Sequence, residues 1–160
     1  MSMLEAPITA QPVATLTTGF NHVAVITRDL DRIAEFWCAV LDAGFEERQD
    51  PRGRHGFVTL APGCMLHVFE LPEAVTGPHP TGPMMQRGRL DHLAIGAAGE
   101  GALVEIRDRL VARGASDGSV RLFGGTWLSL HGTDPDGMEF EVACVHSGMV
   151  LTAADFEVAE

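Results

Sequence analysis

The chain contains no lysine and no tyrosine, and its 11 basic residues are all arginine. Against them stand 22 acids, for a formal net charge of −11. Without an ε-amino group, Schiff-base catalysis and a phosphate-cradling P-loop lysine are both excluded. The acidic balance argues against nucleic acid, whose phosphates demand a basic face, and against anionic membrane surfaces for the same reason. Cysteine is scarce as well. Cys38, Cys64 and Cys144 are odd in number and form no CxxC, so neither a disulfide framework nor a zinc–thiolate site is suggested. No apolar run approaches the ~20 residues of a membrane span. The N-terminus also lacks the basic start and apolar stretch of a secretory leader. A cytoplasmic protein acting on a small molecule, with no nucleic-acid or membrane partner, is the expectation.

What the chain does have is a repeat. Phe20-Asn21-His22-Val23-Ala24-Val25 returns as Leu90-Asp91-His92-Leu93-Ala94-Ile95, an offset of 70 residues from 22 to 92. Phe69-Glu70-Leu71 returns as Phe140-Glu141-Val142 at nearly the same spacing. One His opens each half and one Glu closes it. A single His at the start of an apolar strand is ordinarily a packed residue, but packing does not explain the same placement in two copies. His22, Glu70, His92 and Glu141 are therefore the candidate metal ligands.

Residues 1–19 read as a flexible tail, with Pro7 and Pro12 and no periodicity. Residues 20–71 read as strand, helix and three strands. The helix is capped by Thr27 or Asp29, carries Leu30, Ile33, Ala34, Trp37, Val40 and Leu41 at helical spacing, and ends near Gly44. Residues 72–89, with Pro72, Pro78, Pro80, Pro83 and three glycines, form a linker. Residues 90–145 repeat the βαβββ order, with Leu103, Ile106, Leu110 and Val111 turned inward on the helix and a hairpin around Asp134-Pro135-Asp136-Gly137. Residues 146–160 are an extension, with a short helix from Ala153.

Alternation places His22, Ala24 and Ile26 on one face of their strand. In the fourth strand Leu66, Val68 and Glu70 share a face opposite His67 and Phe69, and Glu70 rather than His67 is assigned to the pocket. Glu139 is expected at the rim, and His131 on a solvated edge, with a role as spare proton carrier as the alternative. His55, His79 and His146 are expected in solvent.

Over about residues 20–145 the sequence resembles the vicinal oxygen chelate superfamily: glyoxalase I, extradiol dioxygenases, fosfomycin-resistance transferases, methylmalonyl-CoA epimerase and bleomycin-resistance proteins. His22, Glu70, His92 and the Glu141 that follows the "DPDG" turn carry the resemblance. It implies an α+β fold, two βαβββ modules forming a curled, mostly antiparallel eight-stranded half-barrel around a metal pocket. Imidazole and carboxylate donors suit Zn, Ni, Co, Mn or Fe(II). Four protein ligands leave two positions for a chelating substrate. The implied reaction is then glyoxalase-I-like lyase, isomerase or epimerase chemistry by proton transfer next to a carbonyl, with Glu70 or Glu141 as base. The alternatives are an Fe(II)-dependent extradiol-type dioxygenase with two His and one carboxylate, or a non-catalytic antibiotic-binding protein. The modules pair either within one chain, first strands side by side, or between the chains of a homodimer.

Overall fold

The computed structural model describes residues 20–51, 53–73, 92–123 and 125–147. The expected tail, most of the linker, and the extension beyond Ser147 with its helix from Ala153 lie outside them. The order is βαβββ twice: β1 (His22–Thr27), α1 (Leu30–Leu41), β2 (Gly44–Asp50), β3 (Gly53–Ala61), β4 (Cys64–Glu70), then β5 (Leu93–Gly96), α2 (Glu100–Ala112), β6 (Val120–Phe123), β7 (Trp127–Thr133) and β8 (Glu139–Val145). The fold class is the expected α+β. Its eight strands fall into two four-stranded sheets, β1-β4-β3-β2 and β5-β8-β7-β6. In each sheet the first strand runs parallel to the last and the other pairings are antiparallel. β1 and β5 are thus both edge strands. The first strands are not paired with each other within the chain, because each bonds only the closing strand of its own module.

Asp29 starts α1, its carboxylate accepting from the Arg32 N–H at 2.9 Å. Leu30, Ile33, Ala34, Phe36, Trp37 and Val40 follow at helical spacing and are all buried. The helix ends at Asp42 rather than near Gly44. Asp42 takes the left-handed conformation at φ 53°, which a short polar side chain tolerates, and its carboxylate receives Arg109 at 2.8 Å. Gly44 is already paired with Thr59 in β2–β3.

The helix side of each sheet supplies the core: Val58, Leu66 and Val68 from one, Leu128, Leu130, Phe140 and Val142 from the other, in one cluster with Trp37 and Leu103. Trp37 and Phe140 meet at 4.8 Å between ring centroids, joining the modules. Arg109 donates to the carbonyls of Ala39 and Val40, and Arg113 pairs with Glu35, tying α2 to α1. Val111 is not inward as expected; it is 46% exposed. Packed helix side to helix side, the modules turn the other faces of both sheets outward. No described helix is long and apolar enough to cross a membrane.

Candidate metal centre

The second sheet presents one cluster of candidate residues. Phe140 and Val142 are fully buried, so alternation turns Glu139 and Glu141 to the opposite face. Register sets Ala94 of β5 and His131 of β7 on either side of Glu141. His92, two residues before Ala94, shares that face, and its Nε2 lies 2.9 Å from Glu141 Oε2. The His131 ring stands 6.2 Å from that of His92. Ala94 and Gly96 have little or no side chain, which leaves the face open. The Asp134 carboxylate holds the hairpin that delivers β8 by accepting the N–H groups of Asp136 and Met138 at 2.9 and 2.8 Å. Gly137 completes the turn at φ 89°. Burial pushes the Asp134 carboxyl above its ordinary value. Asp136 reaches back to the first module, accepting from Thr27 Oγ1 at 2.5 Å and Arg32 at 2.6 Å.

The first sheet presents another cluster. β1 lies parallel to β4, with His22 beside Met65, Ala24 beside His67 and Ile26 beside Phe69. The rings of His22 and His67 are 5.6 Å apart, and His22 Nδ1 lies 2.8 Å from Asn21 Oδ1. His67 is stacked on Phe57 (4.3 Å) and lies tilted against Phe69 (4.0 Å), and its Nε2 is 2.8 Å from His55 Nδ1. His55, expected in solvent, is only 8% exposed. β3 begins at Gly53, three residues earlier than Gly56, and so takes His55 into the sheet. His146 is likewise engaged, with Nδ1 2.9 Å from Glu100 Oε1. Beside the cluster, at the end of the sheet, is a hollow of about 280 Å³ lined by Ile26, Asp50, Arg54, His55, Phe69 and Glu70 among others.

Glu70 borders the same hollow, but its carboxylate turns toward the start of α1. It shares its face with buried Leu66 and Val68, and Oε1 accepts the N–H of Leu30, the first residue of α1, at 2.9 Å. Arg54 Nη1 adds a contact at 3.2 Å while also pairing with Asp31 and Glu47. Hydrogen bonds to Glu47 and then Asp31 raise the Arg54 guanidinium above its ordinary value, and Arg54 in turn lowers that of Glu47. The assignment of Glu70 rather than His67 to the face of His22 is therefore reversed. The aliphatic row Leu66/Val68 packs against the helices and carries Glu70 with it, so Glu70 serves the start of α1.

Of the four expected ligands the structure brings together His92 and Glu141; His22 lies on the other sheet and Glu70 on a helix-facing side. Among the described residues no three His, Cys, Asp or Glu side chains converge within one chain. In type the donors fit a divalent metal, an imidazole and a carboxylate side by side on an open face. In number they fall short until a further donor arrives. His55 and His67 were the site-face residues that sequence reasoning passed over. The signal for them was the contrast between the aliphatic and the His/Phe rows of β4.

The chain belongs to the Glyoxalase/Bleomycin resistance protein/Dioxygenase superfamily, whose family model matches residues 19–142. Solved structures share the fold at low identity. A glyoxylase/bleomycin resistance protein/dioxygenase domain from Frankia sp. EAN1pec is 20% identical with a TM-score of 0.66, over 81% of this chain and 99% of that one. Lactoylglutathione lyase from Agrobacterium tumefaciens is 20% identical at TM-score 0.56, over 81% and 95%. The fosfomycin resistance protein FosX from Listeria monocytogenes is also similar; a mutant form complexed with Mn(II) and 1S,2S-dihydroxypropylphosphonic acid is 21% identical at TM-score 0.56, over 79% and 92%. Comparison with curated proteins gives no match.

Proposed function

We propose that the protein is a metal-dependent enzyme of this superfamily whose site is completed between two copies, His22 of one chain joining His92 and Glu141 of another. The observation that carries this reading is the pairing of His92 with Glu141 on an open face while the repeated His22 stands on a different open face. Both bear on edge strands, and an unpaired edge is the natural place for one copy to meet another. The partners are thus a small-molecule substrate and a second copy of the chain, in the cytoplasm.

Two imidazoles and one carboxylate suit Fe(II), Mn, Co, Ni or Zn. When bound, such an ion supplies Lewis acidity and an anchor for two neighbouring substrate oxygens. Three protein donors leave three positions open on an octahedral ion, as in non-haem Fe(II) oxygenases. With Glu70 turned to the helices, the preference moves from glyoxalase-type chemistry to ring-cleaving dioxygenation of a vicinal diol such as a catechol. His67 beside His22 and His131 beside His92 are the residues that hold or move protons at the substrate. The same two imidazoles support the second reading, proton transfer next to a carbonyl, in which one of them replaces Glu70 as the base.

The deciding experiment loads metal-free protein with each ion in turn. Oxygen consumption with catechols by the Fe(II) form is the expected result. Exchange of α-protons with deuterated solvent on 2-ketoaldehyde–thiol adducts, with no oxygen uptake, would establish the second reading. Neither activity, together with antibiotic binding that needs no metal, would overturn both.

A further inference from the structure

We infer that Asp50 and His55 form a positioning chain that fixes which ring nitrogen of His67 carries the proton. The inference rests on the reading above only for the importance of His67 beside His22; its geometry stands by itself. His55 Nε2 lies 3.7 Å from Asp50 Oδ2, and His55 Nδ1 lies 2.8 Å from His67 Nε2. Next to a carboxylate oxygen, a ring N–H is attracted where a ring lone pair is repelled, so the His55 proton sits on Nε2. Neutral His55 then has a lone pair on Nδ1, and the short contact with His67 is a hydrogen bond only if His67 Nε2 donates. Neutral His67 is left with its lone pair on Nδ1. Asp50 thus sets, through two rings, the nitrogen with which His67 accepts a proton.

Packing holds the chain in place. His55 and Phe69 are stacked at 14° with centroids 5.6 Å apart, and both Phe57 and Phe69 pack against the His67 ring. The register explains the assembly: Phe57 is opposite His67 and His55 opposite Phe69 across β3–β4. Asp50, the last residue of β2, is opposite Gly53 at the turn into β3. Asp50 also borders the 280 Å³ hollow, so this end of the chain meets solvent while His55 stays buried. An imidazole pair with one carboxylate at its outer end has one favoured polarity, since reversing it points a lone pair at the carboxylate. In the language of catalysis, Asp50 and His55 are positioning residues for His67.

The test is nitrogen-15 NMR of the histidine rings in metal-free protein at about pH 8.5, where an ordinary imidazole is neutral. Scalar coupling across the hydrogen bond between His67 Nε2 and His55 Nδ1, with the proton on His67, is expected. His67 Nδ1 should resonate as an unprotonated ring nitrogen. Asp50→Ala should move that resonance toward the protonated range, and Asp50→Glu should leave it in place. A proton residing on His55 Nδ1, or a His67 signal indifferent to Asp50→Ala in a folded variant, overturns the inference. If Asp50→Ala does not fold, the wild-type coupling still decides. No metal or substrate enters the measurement, so its failure leaves the shared-site reading standing, and failure of that reading leaves this one.

Discussion

His67 and Glu70 are three residues apart on one strand and therefore face opposite ways. Which of them meets His22 depends on which face of β4 packs against the helices. Leu66 and Val68 are 1% and 0% exposed, and they take Glu70 to the start of α1. There its carboxylate accepts the Leu30 N–H and lies beside Arg54, favourable interactions at the positive end of a helix. Glu70→Gln is accordingly expected to cost about 1–2 kcal/mol of stability, read from urea unfolding, while metal uptake is unchanged. Glu141→Gln is expected to do the opposite, losing the metal with little change in midpoint. Alternation alone made the opposition of His67 and Glu70 legible. It did not name the helix side, because the Glu70/Glu141 repeat pointed to equivalent roles while the aliphatic row of β4 pointed to burial. Burial prevailed, since two aliphatic side chains removed from water outweigh one carboxylate that can still be bonded.

Helices and strands read well where periodicity was strong, as in α1 and in the Asp134–Gly137 hairpin, and less well at their ends. α1 stops at Asp42 because a tertiary partner, Arg109, holds that carboxylate, which no local signal announces. β3 begins early because Asp50 and Gly53 pair directly across the turn. Close packing between elements was hidden too. A Cβ built on Gly132 of β7 would lie 2.8 Å from Phe140 Cζ, and Trp37 against that ring prevents it from retreating. Gly132→Ala should therefore cost about 1–3 kcal/mol and lower the thermal midpoint without altering the metal ligands. At the other end of α2, Glu100 accepts from the N–H and hydroxyl of Ser147 and lies against His146, tying the chain after β8 to the helix start. The Ser147 backbone N–H, then its hydroxyl and His146, hold the Glu100 carboxyl below its ordinary value of 4.5. A depressed acid stabilises fully above its unfolded value, and the contribution is lost as pH falls through the folded one. Amide exchange at Ser147 is therefore expected to accelerate, relative to the core strands, as pH drops below about 4.5. Uniform behaviour of Ser147 and the core would contradict the tie.

At the scale of the molecule, the helix sides of both modules are spent on a common core through Trp37 and Phe140, and the two faces that carry the candidate ligands are left outward. On the proposed reading, a second copy gives those faces a common site. The most direct measurement mixes two variants that each lack part of the donor set, His22→Ala and the double variant His92→Ala/Glu141→Ala. Neither alone should retain metal. In a mixed dimer, however, the intact His22 of the double variant meets the intact His92 and Glu141 of the other chain. Refolding the two together at equal amounts should restore about a quarter of the wild-type metal per chain, because half the dimers are mixed and each has one whole site of two. Elemental analysis showing no recovery, or metal retained by either variant by itself, would contradict a site shared between copies.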